Sequence, residues 1–528
     1  MTDRQRTGEA ISAWRGAIGD GQVVDDEARL AAVARTTFAL APGHAPVAWL
    51  RPADREQVAA CVRIAAAHGV PLHPVSRGRN LGYGSRAPAR PGAALLDLAR
   101  LDRIVDFDER MAYVTVEPGV TFRQLADFLR GCRARVFAGV TGGPADASVV
   151  ANALERGDGS GPLADRFAHV CDLEVVLPTG ERIETGFGRF GGAVEGTGGA
   201  AVAPLGRWGV GPSLDGLFSQ SGLGVVTRAT IWLTPYPRHF ELGWFTADDG
   251  ARLPALVDGL RRLKLAGVVR ATTPVWNDCK ILPLFGGYPF AETGGATPLP
   301  ADVRAELRRR ARVGAWNGTL SLYGASTRHA VALRECVEEE LRPLVTSLRF
   351  DRGPDEPLDA DPARCGPALG VPHDQNLVTA YWRKPGPPAP PLDPDADGCG
   401  MLWLSHAVPF AGDHAAAVAA LVEEEVTAGG YEPALALLGV TERVLYAVVS
   451  LAYDRDLPGE DARARACHDR TFARLVERGY PPFRTGVQGQ GLAPAGDPAY
   501  QRVLDALAVT LDPAGVLAPG RYPFSPRE

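Results

Sequence analysis

PLHPVSRGRNLGYGSRAP, residues 71–88, is the stretch on which the reading of this chain turns. It opens as a short strand over 71–75 and empties into a loop carrying Gly78, Gly82 and Gly84. Glycine tolerates positive φ and brings no Cβ, so successive backbone N–H groups can turn inward and approach a phosphate closely. Arg77, Arg79 and Asn80 add side-chain donors. The spacing is neither G-x-x-x-x-G-K-[ST] nor G-x-G-x-x-G, which sets aside the nucleoside-triphosphatase and Rossmann readings. Taken alone, such a loop is a tight turn more often than a phosphate cradle.

Outward from the loop the pattern alternates helix and strand. Residues 54–68 read as a helix: Asp54 caps it, Val58, Cys61, Val62 and Ala65 form one face, and Gly69 ends it. Strands are predicted over 93–97, 103–108 and 112–116, then a Thr121-capped helix over 122–131. A hairpin of 172–177 and 181–185 turns at 178–180, and a strand covers 225–234. Pairing through turns is expected to outweigh βαβ crossovers. Past Pro237 the helices lengthen, over 300–311, 326–345 and 414–427, the last following a strand at 401–404. KPGPPAPPLDPDAD, residues 384–397, reads as a proline-rich surface loop inside the second domain.

A chain of 528 residues, 45% hydrophobic and 22% charged, folds as two or three domains and is not disordered. The net charge of −6 carries no basic stripe, so nucleic acid is not an expected partner. No apolar run approaches the roughly 20 residues of a membrane span, and the N-terminus lacks the apolar core of a signal peptide. Cys61, Cys132, Cys171, Cys279, Cys336, Cys365, Cys399 and Cys467 show no C-x-x-C spacing, so reduced thiols are expected and zinc or other metal is not. The Ala/Arg/Pro/Gly-rich, lysine-poor composition points to a high-GC bacterial genome, and the reduced thiols to a cytoplasmic protein.

The loop belongs to a longer series of blocks. PVSRGRNLGYGSRAP is followed by ALLDLARLDRIVDFDERMAYVTVEPGVTFRQLADFL, SVVANALERG (148–157) and DRFAHVCDLEVVLPTGERIETG (165–186). RWGVGPSLDGLFSQSGLGVVTRATIWLTPYP (207–237), DGCGMLW (397–403) and LDPAGVLAPGR (511–521) complete it. In this order the blocks resemble the vanillyl-alcohol oxidase/4-cresol dehydrogenase family. The resemblance implies an α+β fold: a two-subdomain PCMH-type FAD-binding domain plus a cap with a large antiparallel sheet and flanking helices. The implied boundaries are 1–237 for the FAD domain (core about 45–237), 238–485 for the cap and 486–528 for a segment returning to the FAD domain. Implied cofactor contacts are Ser76, Arg77, Gly78, Arg79, Asn80, Leu81, Gly82 and Gly84 at the pyrophosphate. Pro118, Gly143, Ser148 and Asn152 belong to the same set, with Gly222, Gly224, Val225 and Val226 near the adenine half and Arg521 in the tail. That tail usually reads D-P-N-G, and Ala514 replaces the asparagine here.

In such enzymes a para-alkylphenol or para-hydroxybenzyl alcohol binds as the phenolate to two tyrosines and an arginine, and a hydride leaves the benzylic carbon for flavin N5. Tyr83 matches the first tyrosine, the plainer alternative being a packed loop residue. PPFRTG (481–486) supplies Arg484, alternatively a surface ion pair, but places Phe483 where the second tyrosine stands. One phenolate hydrogen bond is thereby lost, about 1.5–3 kcal/mol for a charged acceptor. The family's acid facing N5 aligns with Gly143, so Asp146 is the catalytic candidate, brought in by a loop shift, against a solvated loop aspartate. Met401 holds the place of the histidine that carries covalent FAD and is expected to touch substrate. His406, two residues past the strand, is an active-site candidate, and FAD is expected to be dissociable. The first functional reading is an FAD oxidase or dehydrogenase of a 4-alkylphenol, benzylic alcohol or similar compound, returning electrons to oxygen or another acceptor. The second is an FAD-dependent tailoring enzyme of secondary metabolism with a non-phenolic substrate. A third, a non-catalytic flavin-binding subunit, is opposed by the intact FAD loops. Pairing into a homodimer is common in the family.

Overall fold

The computed structural model describes residues 2–522 apart from 42, 194–199, 357–359, 361–365, 387 and 495, so Cys365 lies outside the described residues. A four-stranded sheet runs in the order Val23–Val24, Trp49–Leu50, Ala94–Asp97, Leu72–Val75. Its last three strands are parallel, where turn-linked pairing was expected. The crossover is made by the helix Arg55–His68, whose 14 residues carry the chain back far enough to start a parallel strand. Asp54 accepts the Gln57 N–H at 2.8 Å, and Gly69 closes the helix at φ +64. A cap of this kind contributes about 1 kcal/mol. The N-terminal helix Asp3–Ile18 packs on it and buries Trp14, whose indole N–H donates to the Cys61 carbonyl at 3.1 Å.

A second, antiparallel sheet has the order Ile104–Asp108, Tyr113–Val116, Val225–Trp232, Val170–Val176, Arg182–Glu184. The helix Phe122–Gly131 buries Phe122, Leu125 and Leu129, and Thr121 caps it as its sequence predicts.

Seven antiparallel strands then form one large sheet: Ser347–Arg352, His239–Ala247, Trp316–Gly324, Thr273–Asn277, Ala434–Gly439, Val444–Asp454 and Cys399–Pro409. Side chains alternate between its faces with period two. Val275, Leu402, Leu404, Leu435, Leu437, Leu445, Ala447, Val449 and Leu451 face a helical layer that includes Leu253–Leu265, Gly412–Ala428 and Glu460–Glu477. The intervening Pro274, Trp276, Trp403, Ala436, Leu438 and Val448 line a cavity on the other side. Phe38, from the N-terminal part, is buried in the helical-side core of this sheet. The proline-rich stretch is a turn-rich loop tied down at both ends: Lys384 donates to Asp454 and Asp456 at 2.6 Å each, and Ser85 donates to Asp395 at 2.7 Å.

Candidate active site

The cavity between the large sheet and the two smaller ones has a volume of about 1420 Å³, above the roughly 300–1,000 Å³ of ordinary ligand pockets. Its floor is the loop quoted first. Among the described residues no protein acceptor takes the backbone N–H groups of residues 76–82, the condition a bound pyrophosphate needs. Gly78, Gly82 and Gly84 hold φ of +61, +76 and +110, which only glycine adopts without strain. Ser76, Arg77, Gly78, Arg79, Asn80 and Leu81 line the cavity directly. Gly82 and Gly84 lie behind it: a Cβ on Gly82 would stand 2.0 Å from the Trp403 indole, and one on Gly84 2.6 Å from Val487.

The remaining cofactor candidates converge on the same space. Pro118, Gly143, Ser148, Asn152, Gly222, Gly224, Val225, Val226 and Arg521 all line it. Ser148 accepts the Ala151 N–H at 3.0 Å to cap the helix Val149–Leu154 and donates to the Pro118 carbonyl at 2.6 Å, fixing two of these positions to one another. Asn152 Oδ1 is buried with no partner, an acceptor open to a ligand N–H. Arg521 pairs with Glu155 at 2.6 Å, and Tyr522 donates to the same carboxylate. A glycine-rich row of free donors, an orphaned acceptor and a long cavity fit FAD.

Tyr83 and Arg484, 401 positions apart in sequence, meet here. The Arg484 guanidinium carbon lies 4.3 Å from the Tyr83 ring centroid, and the Tyr83 hydroxyl shares a 2.6 Å hydrogen bond with Ser405 Oγ. Trp403 stacks parallel to Tyr83, within 9° at 6.4 Å. Two contacts pin the two segments together, Val487 N–H to the Tyr83 carbonyl and Gln488 Nε2 to the Gly82 carbonyl at 2.9 and 3.1 Å, and Gln220 Nε2 holds the second segment through the Phe483 carbonyl at 3.0 Å. Burial raises the Tyr83 pKa, against the pull of Arg484 and Ser405. Phe483 lines the cavity and stacks on Tyr446 at 3.8 Å.

Three expectations are corrected. Asp146 is half exposed and pairs with Arg123 at 2.9 Å on the surface; Arg123 also holds Asp374, so the Asp146 carboxylate is kept out of the cavity that Gly143 and Pro144 of the same loop line. His406 is not past the strand but inside it, since the strand extends over Cys399–Pro409. At even register with Leu402 and Leu404 it faces the helical layer, its ring against Phe472 at 4.8 Å and both nitrogens without partners. Burial, reinforced by His468, pushes its pKa down to about 3, so it is a neutral packing residue. Met401 shares the cavity-side register with Trp403 but is 1% exposed, packed beneath Gly82 with Ala380, Tyr381 and Cys399.

Residues outside the sequence-based set complete the wall. Trp403 and Ser405 follow Met401 at steps of two, a signal that strict alternation carries. Asp158, between two glycines, lines the cavity; burial raises its pKa, with Arg484 and Arg166 opposing. Lys280, in the short helix Asp278–Ile281 that Asn277 caps, lines it too, with its Nζ 4.1 Å from the Trp403 ring centroid. No helix among the described residues is long and apolar enough to cross a membrane, and no cluster among them could hold a metal ion.

Comparison with known proteins agrees with this geometry. The family described as FAD binding domain matches residues 46–186. The chain is 45% identical to 1'-carboxy-chondrochloren decarboxylase of Chondromyces crocatus, covering 98% of this chain and 97% of that one. It is 29% identical to the 4-cresol dehydrogenase [hydroxylating] flavoprotein subunit of Pseudomonas putida, covering 97% and 95%. The crystal structure of p-cresol methylhydroxylase with substrate bound superposes with a TM-score of 0.89 at 27% identity, covering 99% and 97%. Full-length similarity, the PCMH-type fold and a cavity built for FAD converge: the chain belongs to the vanillyl-alcohol oxidase/4-cresol dehydrogenase family of FAD-dependent oxidoreductases.

Proposed function

We propose that this enzyme oxidises a para-hydroxyaryl substrate held as its phenolate by Tyr83 and Arg484. The observation that carries the reading is the joining of these two residues at the cavity wall, with the Tyr83 hydroxyl bonded to Ser405. FAD, when bound, supplies the acceptor for the electron pair leaving the substrate. Arg484 holds the phenolate charge, while Tyr83, kept protonated by burial, donates to the phenolate oxygen and accepts from Ser405. Charge held at that oxygen pushes electron density through the ring and loosens hydride at the benzylic carbon. Asp158, its pKa raised within the same wall, suits general-base work better than the solvated Asp146.

A second reading adds loss of carbon dioxide, favoured by the 45% identical relative whose name is a decarboxylase. In a substrate with its carboxylate one carbon beyond the benzylic position, hydride loss is followed by collapse of the bond to the carboxylate. That electron pair closes a side-chain double bond, releases CO2 and restores the phenolate. The same relative supports a place in secondary metabolism, and the free thiols of the seven described cysteines suit a reducing cytoplasm. FAD is proposed to be dissociable, with Met401 buried and His406 on the far face of its strand. Oxygen or a protein acceptor takes the electrons, and the molecule pairs as a homodimer.

Product analysis tests the reading. Anaerobic holoenzyme given 4-alkylphenols should yield products oxidised at the benzylic carbon. Given 4-hydroxyphenyl carboxylic acids with a suitably placed carboxyl, it should release CO2 in step with flavin reduction. Oxidation confined to non-aromatic compounds overturns it.

A further inference from the structure

We propose that Lys280 anchors a carboxylate on the substrate, one ring beyond the Tyr83–Arg484 pair; this deepens the proposed function and rests on it. The chain has three lysines, Lys264, Lys280 and Lys384, among its 56 basic residues. The other two are engaged: Lys264 donates to the Ala271 carbonyl at 2.6 Å, and Lys384 pairs with Asp454 and Asp456. Lys280 donates only to a neutral group, Ser450 Oγ at 2.9 Å, and among the described residues no carboxylate pairs with it. Glu432, which borders a small pocket with Lys280, interacts with Arg383 and lies beyond ion-pair reach of Nζ.

The surroundings make this isolation costly. The cavity that Lys280 lines also takes in the apolar Trp276, Ile281, Trp403, Leu438 and Val448, while Thr379, Glu432 and Ser450 border the small pocket it shares. An ammonium taken out of water among such side chains is penalised unless a counter-charge or π face meets it. The Trp403 face, 4.1 Å from Nζ, supplies part of that compensation. A carboxylate entering the cavity would supply the rest. Burial draws the amine down to about 7, so it keeps its proton on the acid side of neutrality, and an arriving anion draws the value back up. Trp403 also sets the spacing, since it stacks on Tyr83 and lies under Lys280. A ligand with a phenolate at one end and a side-chain carboxylate at the other meets a cation at each.

Calorimetric titration of anaerobic, pre-reduced holoenzyme at pH 6 measures binding without turnover. The probes are 3-(4-hydroxyphenyl)propionate, its neutral amide, and the 4-methoxy ether of each. The wild type should favour acid over amide by about tenfold or more, as a partly desolvated ion pair does. The ratio should fall to about one in Lys280→Met and persist in Lys280→Arg. A ratio near one in the wild type, an unaltered ratio in Lys280→Met, or equal weakening of acid and amide there overturns the proposal. The hydroxy-to-methoxy preference reports on Tyr83 and Arg484 independently. If it is absent while the acid-to-amide ratio still collapses in Lys280→Met, the phenolate reading fails and the Lys280 anchor stands.

Discussion

Replacing Tyr83 with phenylalanine removes one oxygen and leaves the rest of the site in place. The ring still stacks on Trp403 and still lies under the Arg484 guanidinium, so position and cation–π contact persist. What goes is a hydroxyl proposed to donate to a phenolate, worth about 1.5–3 kcal/mol for a charged acceptor. At about 1.4 kcal/mol per decade, kcat/KM for a 4-alkylphenol should drop roughly 10- to 150-fold. Phe483 offers no second hydroxyl to share the loss. Ser405, 2% exposed, also loses its partner, a cost of about 0.5–1.5 kcal/mol that falls on stability. Steady-state kinetics and anaerobic flavin-reduction rates, normalised to bound flavin, separate the two. A loss below about threefold, or an equal loss for a neutral substrate without a phenol, refutes the phenolate role.

Other outcomes follow from the same geometry. Gly82→Ala puts a Cβ 2.0 Å from Trp403 at φ +76, so the purified variant should carry markedly less FAD by absorbance. Asp146→Asn loses only a half-exposed surface pair with Arg123, so kcat should hold and stability should change by under about 1 kcal/mol in thermal melts. Affinity for side-chain carboxylates should fall as pH rises through about 7, where Lys280 gives up its proton, and Lys280→Met should flatten that profile. The folded pKa of Lys280 lies below its unfolded value of 10.5, so the unfolded chain binds the extra proton between the two. Substrate-free stability therefore gains from this group as pH rises over that window, and melts of Lys280→Met should show the gain missing. His406→Leu swaps a neutral, unpartnered core ring for an apolar one, so activity should survive with equal or higher melting temperature.

Local signals carried much of the secondary structure and the glycine turns at the cavity floor. Asp54, Gly69 and Thr121 do in the fold what their positions imply, because caps and glycine turns are decided within a few residues. The turns at Gly78, Gly82 and Gly84 were legible for the same reason. Parallel pairing of Trp49–Leu50, Ala94–Asp97 and Leu72–Val75 was not, since strand partners are chosen by packing across the chain. The cavity side of the large sheet depends on register: strand residues 402, 404 and 406 turn to the helical layer while Trp403 lines the cavity and Ser405 reaches the Tyr83 hydroxyl, and misplacing the strand end put His406 on the wrong side. Asp146 failed through a contact with Asp374's partner Arg123, which no local pattern announces. Lys280 carried a compositional signal, lysine kept in an arginine-rich chain, but its meaning needed the cavity.

The most direct measurement is anaerobic reduction of the enzyme's own flavin, followed in its visible band, by a 4-alkylphenol and by the methyl ether of that phenol. If Tyr83 and Arg484 work on a phenolate, the free phenol bleaches the flavin and the ether, which cannot ionise, leaves it oxidised. Bleaching at equal rates by both, or by neither while a non-phenolic compound succeeds, contradicts the assignment.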